Sequence, residues 1–119
     1  MTNGIIYDEQ LKQYTFFYEG IQFCWDDVPT DANVETAKIL AVNYHKNIDA
    51  IATFIYNEIR DWYGEVTIDE VKTRIGMPII EPDRDAVTYC EQSFDDTHIF
   101  SFTFWDDEFT DLHYFAIDG

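Results

Sequence analysis

The stretch "HIFSFTFWDDEFTDLHYFAI", residues 98–117, decides the fold. Phe100, Phe102 and Phe104 alternate with Ser101 and Thr103, a period of two that marks a half-buried antiparallel strand with one core face. The acidic run "DDEFTD", residues 106–111, interrupts it, and "LHYFAI" resumes as a second strand. Upstream, "AVTYCEQS" (86–93) reads as another strand, and "FDDT" (94–97) as the turn after it. The C-terminal third therefore reads as an antiparallel meander.

Working outward, "LKQYTFFY" and "IQFCWDDV" flank Glu19-Gly20 and read as an N-terminal β-hairpin over 11–28. Ile21, Phe23 and Trp25 share one face of its second strand, and Tyr14, Phe16 and Tyr18 share one face of its first. The segment "PTDAN" (29–33) is cap chemistry, with Asp31 or Asn33 expected to open a helix. Val34, Ala37, Ala41, Tyr44, Ile48, Ile51, Ile55, Ile59 and Trp62 then recur at steps of three and four, the signature of an amphipathic helix. One helix of about 30 residues would run about 45 Å, too long for a domain whose radius of gyration should be about 13–14 Å. A break is expected within "NYHKN", 43–47. Gly64 is a C-cap, and "TIDE" (67–70) is a capping box opening a short helix to about Arg74. Pro78 and Pro82 bracket Ile79-Ile80, which suggests an edge strand or an extended connection. Helices segregated between runs of strands define an α+β fold. The expected architecture is an N-terminal β-hairpin, central helices and a C-terminal antiparallel β-meander packed against the helices, in one domain over 1–119.

The net charge of −17, from 24 acids against 7 bases, is far beyond the magnitude of about 2–8 usual in a small designed domain. It excludes nucleic acid and anionic membrane as partners, since both demand a positive surface, and favours a basic protein. The N-terminus carries no basic and apolar leader pattern, and no apolar run approaches the roughly 18–20 residues of a membrane span. A cytoplasmic protein is expected. Cys24 and Cys90 lack metal or redox spacing and are expected to be buried free thiols.

The acids are unevenly placed. From Asp85 to Gly119 there are nine, with no Lys or Arg. They gather at the meander's turns, Asp95-Asp96 and Asp106 to Asp111, and Asp26-Asp27 end the hairpin likewise, an arrangement in which one sheet could carry several acidic turns at one end. "DDEFTD" lacks the regular oxygen spacing of a calcium loop. No nucleophile elbow or glycine-rich phosphate loop is present. His98 and His113 fall on adjacent expected strands, where they would be neighbours. No catalytic residue, metal ligand or cofactor is expected. The candidate partner-binding residues are Asp26, Asp27, Asp95, Asp96, Trp105, Asp106, Asp107, Glu108 and Asp111. Aromatic anchors beside carboxylates suit an interface that pairs with Lys or Arg.

The order of parts resembles the small acidic α+β immunity domains encoded beside bacterial polymorphic toxins, including those of contact-dependent inhibition systems. The likeness lies in the hairpin, a helical middle ending in Trp62-Tyr63, and above all "FTFWDDEFTDLHYFAIDG" with its Trp-Asp-acid turn. Where some such domains place His-Gly after the turn, this chain has Phe109-Thr110. The resemblance implies a non-enzymatic inhibitor that occludes a basic, nuclease-like toxin domain. A phage-type anti-defence nucleic-acid mimic and an acidic structural or regulatory module are the alternatives.

Overall fold

Glu19 and Gly20 both adopt left-handed backbone, with φ of 50° and 75°, the geometry that lets a two-residue turn follow the twist of its strands. The computed structural model describes residues 4–119, so the first three residues of the expected domain lie outside the described residues. The turn joins β2 (Gln13–Tyr18) to β3 (Ile21–Trp25), preceded by a short strand β1 (Ile6–Asp8). The expected hairpin is thus the larger part of a three-stranded unit. Helices α1 (Asp31–Lys46), α2 (Ile48–Tyr63) and α3 (Ile68–Arg74) follow, then β4 (Ile79–Glu81), β5 (Ala86–Tyr89), β6 (Ile99–Phe104) and β7 (Leu112–Asp118).

The seven strands form one sheet in chain order. All neighbours are antiparallel except β3 and β4, which pair in parallel with Gln22 opposite Ile79 and Phe23 opposite Ile80. A parallel pair needs a crossover, and here the crossover contains all three helices. The α+β architecture is as expected, but the Ile79-Ile80 segment is central, not an edge. Its prolines tolerate this because they flank the ladder. Pro78 supplies only its carbonyl, to the Gln22 amide at 3.0 Å, and Pro82 opens a 3-10 turn.

The helical run breaks at Asn47, inside the expected window. Thr30, rather than Asp31 or Asn33, caps α1. Its hydroxyl accepts from the Asn33 amide at 3.1 Å while the Asn33 carbonyl oxygen takes the Thr30 amide at 2.8 Å, a capping box with Asn in the third position. Thr67 caps α3 through the Glu70 amide at 3.0 Å. The apolar stripe of α1 and α2 is buried from Val34 to Ile59, with Ile48 half-buried at the junction, but ends there; Trp62 is 63% exposed. Leu40 and Ala52 complete the buried face.

The core lies between the helices and one sheet face, where Phe23, Tyr89, Phe100, Phe102 and Phe104 meet Ile51, Ile55 and Ile59. Phe54 of α2 packs edge-on against Phe102 and Phe115. Strand β7 reaches this face despite the sequence Leu-His-Tyr-Phe-Ala-Ile, whose apolar residues do not alternate. A bulge supplies the missing parity: Ser101 faces Ala116 but Thr103 faces His113, so Phe102 opposes both Tyr114 and Phe115. Tyr114 takes left-handed backbone, φ 55°, and Leu112, Phe115 and Ile117 all pack on the core. The expected strand 86–93 ends at Tyr89. Cys24 is buried as expected, whereas Cys90, just past that strand, is exposed; both are free. No described helix is long and apolar enough to cross a membrane.

Two buried phenols close the centre of the core. The hydroxyls of Tyr44 and Tyr89 meet at 2.6 Å, and burial pushes both well above the ordinary phenol range. Tyr89→Phe should cost about 1–3 kcal/mol, because it strands the Tyr44 hydroxyl without a partner. The double variant Tyr44→Phe/Tyr89→Phe should cost less than the sum of the single changes. Urea unfolding of the three variants measures both, and strict additivity would mean that the hydroxyls do not interact.

Candidate protein-binding surface

The β6–β7 turn is built from its own side chains. Asp106 Oδ1 accepts from the amides of Thr110 and Asp111 at 2.9 and 3.0 Å, and Oδ2 takes the Thr110 hydroxyl. Partial burial opposes the charge on Asp106, but the Thr110 hydroxyl and these amides outweigh it and hold the carboxyl below its ordinary value. Phe109 turns inward with φ 59° and is fully buried, against Phe104 at 4.8 Å and Tyr44 at 5.6 Å between ring centres. Asn43 donates to the Asp107 carbonyl at 3.0 Å, and Asn47 to the Glu108 carbonyl at 2.7 Å. The helix junction thus clamps the turn from outside while Phe109 anchors it from within.

This construction leaves Asp107 and Glu108 exposed, and neither carboxylate has a partner among the described residues. Beside them, Trp105 is 57% exposed and stacks on His113 at 3.7 Å. Asp111 Oδ1 meets the edge of that imidazole at Nε2, 2.5 Å away. Trp105 therefore offers one indole face to solvent at the edge of a cluster of carboxylates. An exposed indole face near negative charge attracts guanidinium and ammonium groups.

The other candidate residues divide in the same way. Asp26 is held by Arg84 at 2.7 Å and by Gln13 at 3.1 Å, which lower its carboxyl below the usual range. Asp27 is exposed without a described partner. Asp95 organises the loop before β6. Its Oδ1 accepts from the amides of Thr97 and His98 and from Gln92 Nε2, and its Oδ2 from the Tyr63 hydroxyl and His98 Nδ1. The Tyr63 hydrogen bond is the largest of these influences, and together they hold Asp95 far below the ordinary carboxylate range. Burial and then the same bond push Tyr63 up to about 12. Asp96 is exposed without a described partner. In each Asp-Asp pair the first carboxylate is bonded within the fold, Asp26 to Gln13 and Arg84, and Asp95 and Asp106 within their own turns, and the second faces solvent.

Three sequence-based placements need correction. The acidic turns do not share one end of the sheet. Strands β3 and β6 run the same way, so Asp26-Asp27 and Asp106–Asp111 follow equivalent strand ends, while Asp95-Asp96 lie at the opposite end. Consecutive turns of a meander must alternate in this manner. His98 and His113 are not neighbours, because His113 faces Thr103, five residues and about 16 Å along β6 from His98. Trp62 joins the exposed surface, 6.0 Å from the His98 ring. Asn43, Asn47 and Phe109 complete the site; the sequence marks the first two only as part of the weak helical window "NYHKN" and the third only as an isolated Phe inside "DDEFTD". Among the described residues, no group of three or more His, Cys, Asp or Glu side chains is placed to hold a metal ion.

Phe109→Ala should destabilise the protein by about 3–5 kcal/mol and loosen the turn, read as a lower urea midpoint with faster amide exchange at Asp107 and Glu108. Asp95 tests the opposite end. Its folded value lies below the unfolded one of about 3.9, so its stabilisation is present above about pH 4 and is lost as pH falls below that. Asp95→Asn should lower stability at neutral pH and flatten the acid limb of a stability–pH curve. An unchanged acid limb would remove Asp95 from the linkage.

No family model matches the chain, nor does any curated protein or solved structure.

Proposed function

We propose that this protein is a non-catalytic inhibitor that binds a basic protein, as an immunity protein neutralising a cognate toxin domain in the cytoplasm. The observation that carries this reading is the pair Asp107 and Glu108, unpaired carboxylates held on a clamped turn beside the exposed face of Trp105. Carboxylates fixed before binding lose little conformational entropy on meeting a cation. A toxin cleft that handles phosphates, as a nuclease does, is lined by Lys and Arg, and these would pair with Asp107, Glu108 and Asp111 while an indole covers the cleft rim. Occlusion requires no bond to be made or broken, which is consistent with carboxylates either engaged in turn structure or left in water. The long-range field of a −17 chain would speed the encounter.

The test is titration calorimetry against the product of the neighbouring gene, at two salt concentrations. Asp107→Lys/Glu108→Lys should weaken binding at least about tenfold at low salt and flatten its salt dependence, because two attractive charges become repulsive. The fold should survive, since neither side chain has a bonding partner among the described residues; Asp106 is left intact because it builds the turn. Unchanged affinity in this variant would take the turn out of the mechanism. Absence of binding by the parent protein would overturn the immunity reading.

A further inference from the structure

We infer that the free edge of β7 is a strand-addition site for an extended, Lys- or Arg-bearing segment of the partner. This rests on the reading of the chain as a binder of a basic protein, and specifies how that protein is gripped. At seven residues β7 is the longest strand among the described residues, yet it is the last in the sheet and has a described neighbour on one side only. The opposite edge, β1, has three residues. Edge strands are usually blunted by brevity, Pro, charged residues such as Lys, or a bulge. Strand β7 has neither Pro nor Lys, and its bulge at Tyr114 leaves Phe115–Asp118 as regular edge.

Burial along this edge is incomplete. Phe100 and Phe102 of β6 are fully enclosed, whereas Phe115, Ala116 and Ile117 of β7 are only half-buried. A further strand would cover them and satisfy the outward backbone groups, the main source of affinity in strand addition.

The ends of β7 specify the occupant. At its start stands the Trp105–His113 stack. At its finish, Gly119 lies so close to His98 that a Cβ there would come within 2.8 Å of the ring, and His98 in turn abuts exposed Trp62. Each end thus pairs an exposed indole with an imidazole, and carries acids: Asp111 at one, Asp118 at the other. Seven residues of extended chain span about 23 Å, so a segment on this edge would meet indole and carboxylate at both ends. A second copy fits poorly. Antiparallel β7–β7 pairing would set Asp111 of each chain near Asp118 of the other, between molecules that each carry −17.

The experiment compares two capped peptides, Lys-Val-Lys-Val-Lys-Val-Lys and the same peptide N-methylated at every amide, by calorimetry and amide NMR of the whole protein. Methylation keeps charge and removes the backbone donors. The unmethylated peptide should bind at least tenfold more tightly and shift the amides of Phe115–Asp118. Equal affinities, shifts confined to β1, or no binding would overturn strand addition, as would a dimer in solution with protected β7 amides. Equal affinities would leave the acidic-turn reading standing. Discrimination that persists in Asp107→Lys/Glu108→Lys, without binding to the neighbouring gene's product, would leave the edge site standing and remove the immunity reading.

Discussion

The parallel pairing of β3 with β4 is the constraint on which the rest of the structure depends. Two strands that run the same way side by side cannot be joined by a turn, so 53 residues from Asp26 to Pro78 must leave the sheet and return. All the helices lie in that excursion and cover one sheet face. The three-stranded unit before it and the four-stranded meander after it become one sheet at only two paired positions, Gln22–Ile79 and Phe23–Ile80. Phe23 and Ile80 are both fully buried, so the join is held by helix packing as much as by its ladder.

A chain with 24 acids has to fold against its own repulsion. It does so partly by placing bases where elements must be tied. Lys72 reaches Asp49 between α3 and α2, and Arg84 joins Asp26 to Glu81 at the ends of β3 and β4. Arg74 binds Ser93 and lies 4.5 Å over the Phe94 ring, fastening α3 to the loop before β6. These exposed pairs add little stability individually; their role is to fix geometry. The carboxylates of Asp26, Asp95 and Asp106 are likewise absorbed into local structure, while the second residue of each pair is left in water.

The turn after β6 combines rigidity and exposure in consecutive residues. Asp106 closes it, Asp107 and Glu108 face water, and Phe109 enters the core. Left-handed backbone at Phe109 is uncommon for an aromatic residue, and the burial of its ring compensates for that conformation. A surface loop is normally more mobile than the elements it joins; here two asparagines of the helix junction and one core aromatic hold the turn in place.

The sequence by itself determined the elements: the Glu19-Gly20 turn, the buried stripe from Val34 to Ile59, the Asn47 break within its window, and the β6 alternation. Each rests on interactions between residues close in the chain, which periodicity and turn chemistry record. The alternation of the two meander turns between sheet ends follows from strand direction alone, whereas the parallel β3–β4 pairing is what sets Asp26-Asp27 at the same end as Asp106–Asp111. Only the tertiary structure decided that Ile79-Ile80 is central, that Trp62 is exposed, that a bulge at Tyr114 brings Phe115 and Ile117 inward, and which carboxylate of each pair is free. Those outcomes depend on partners far apart in sequence, such as Gln22 with Pro78, Tyr63 with Asp95, and Asn47 with Glu108. A residue's own neighbours cannot specify a contact whose other half lies across the sheet.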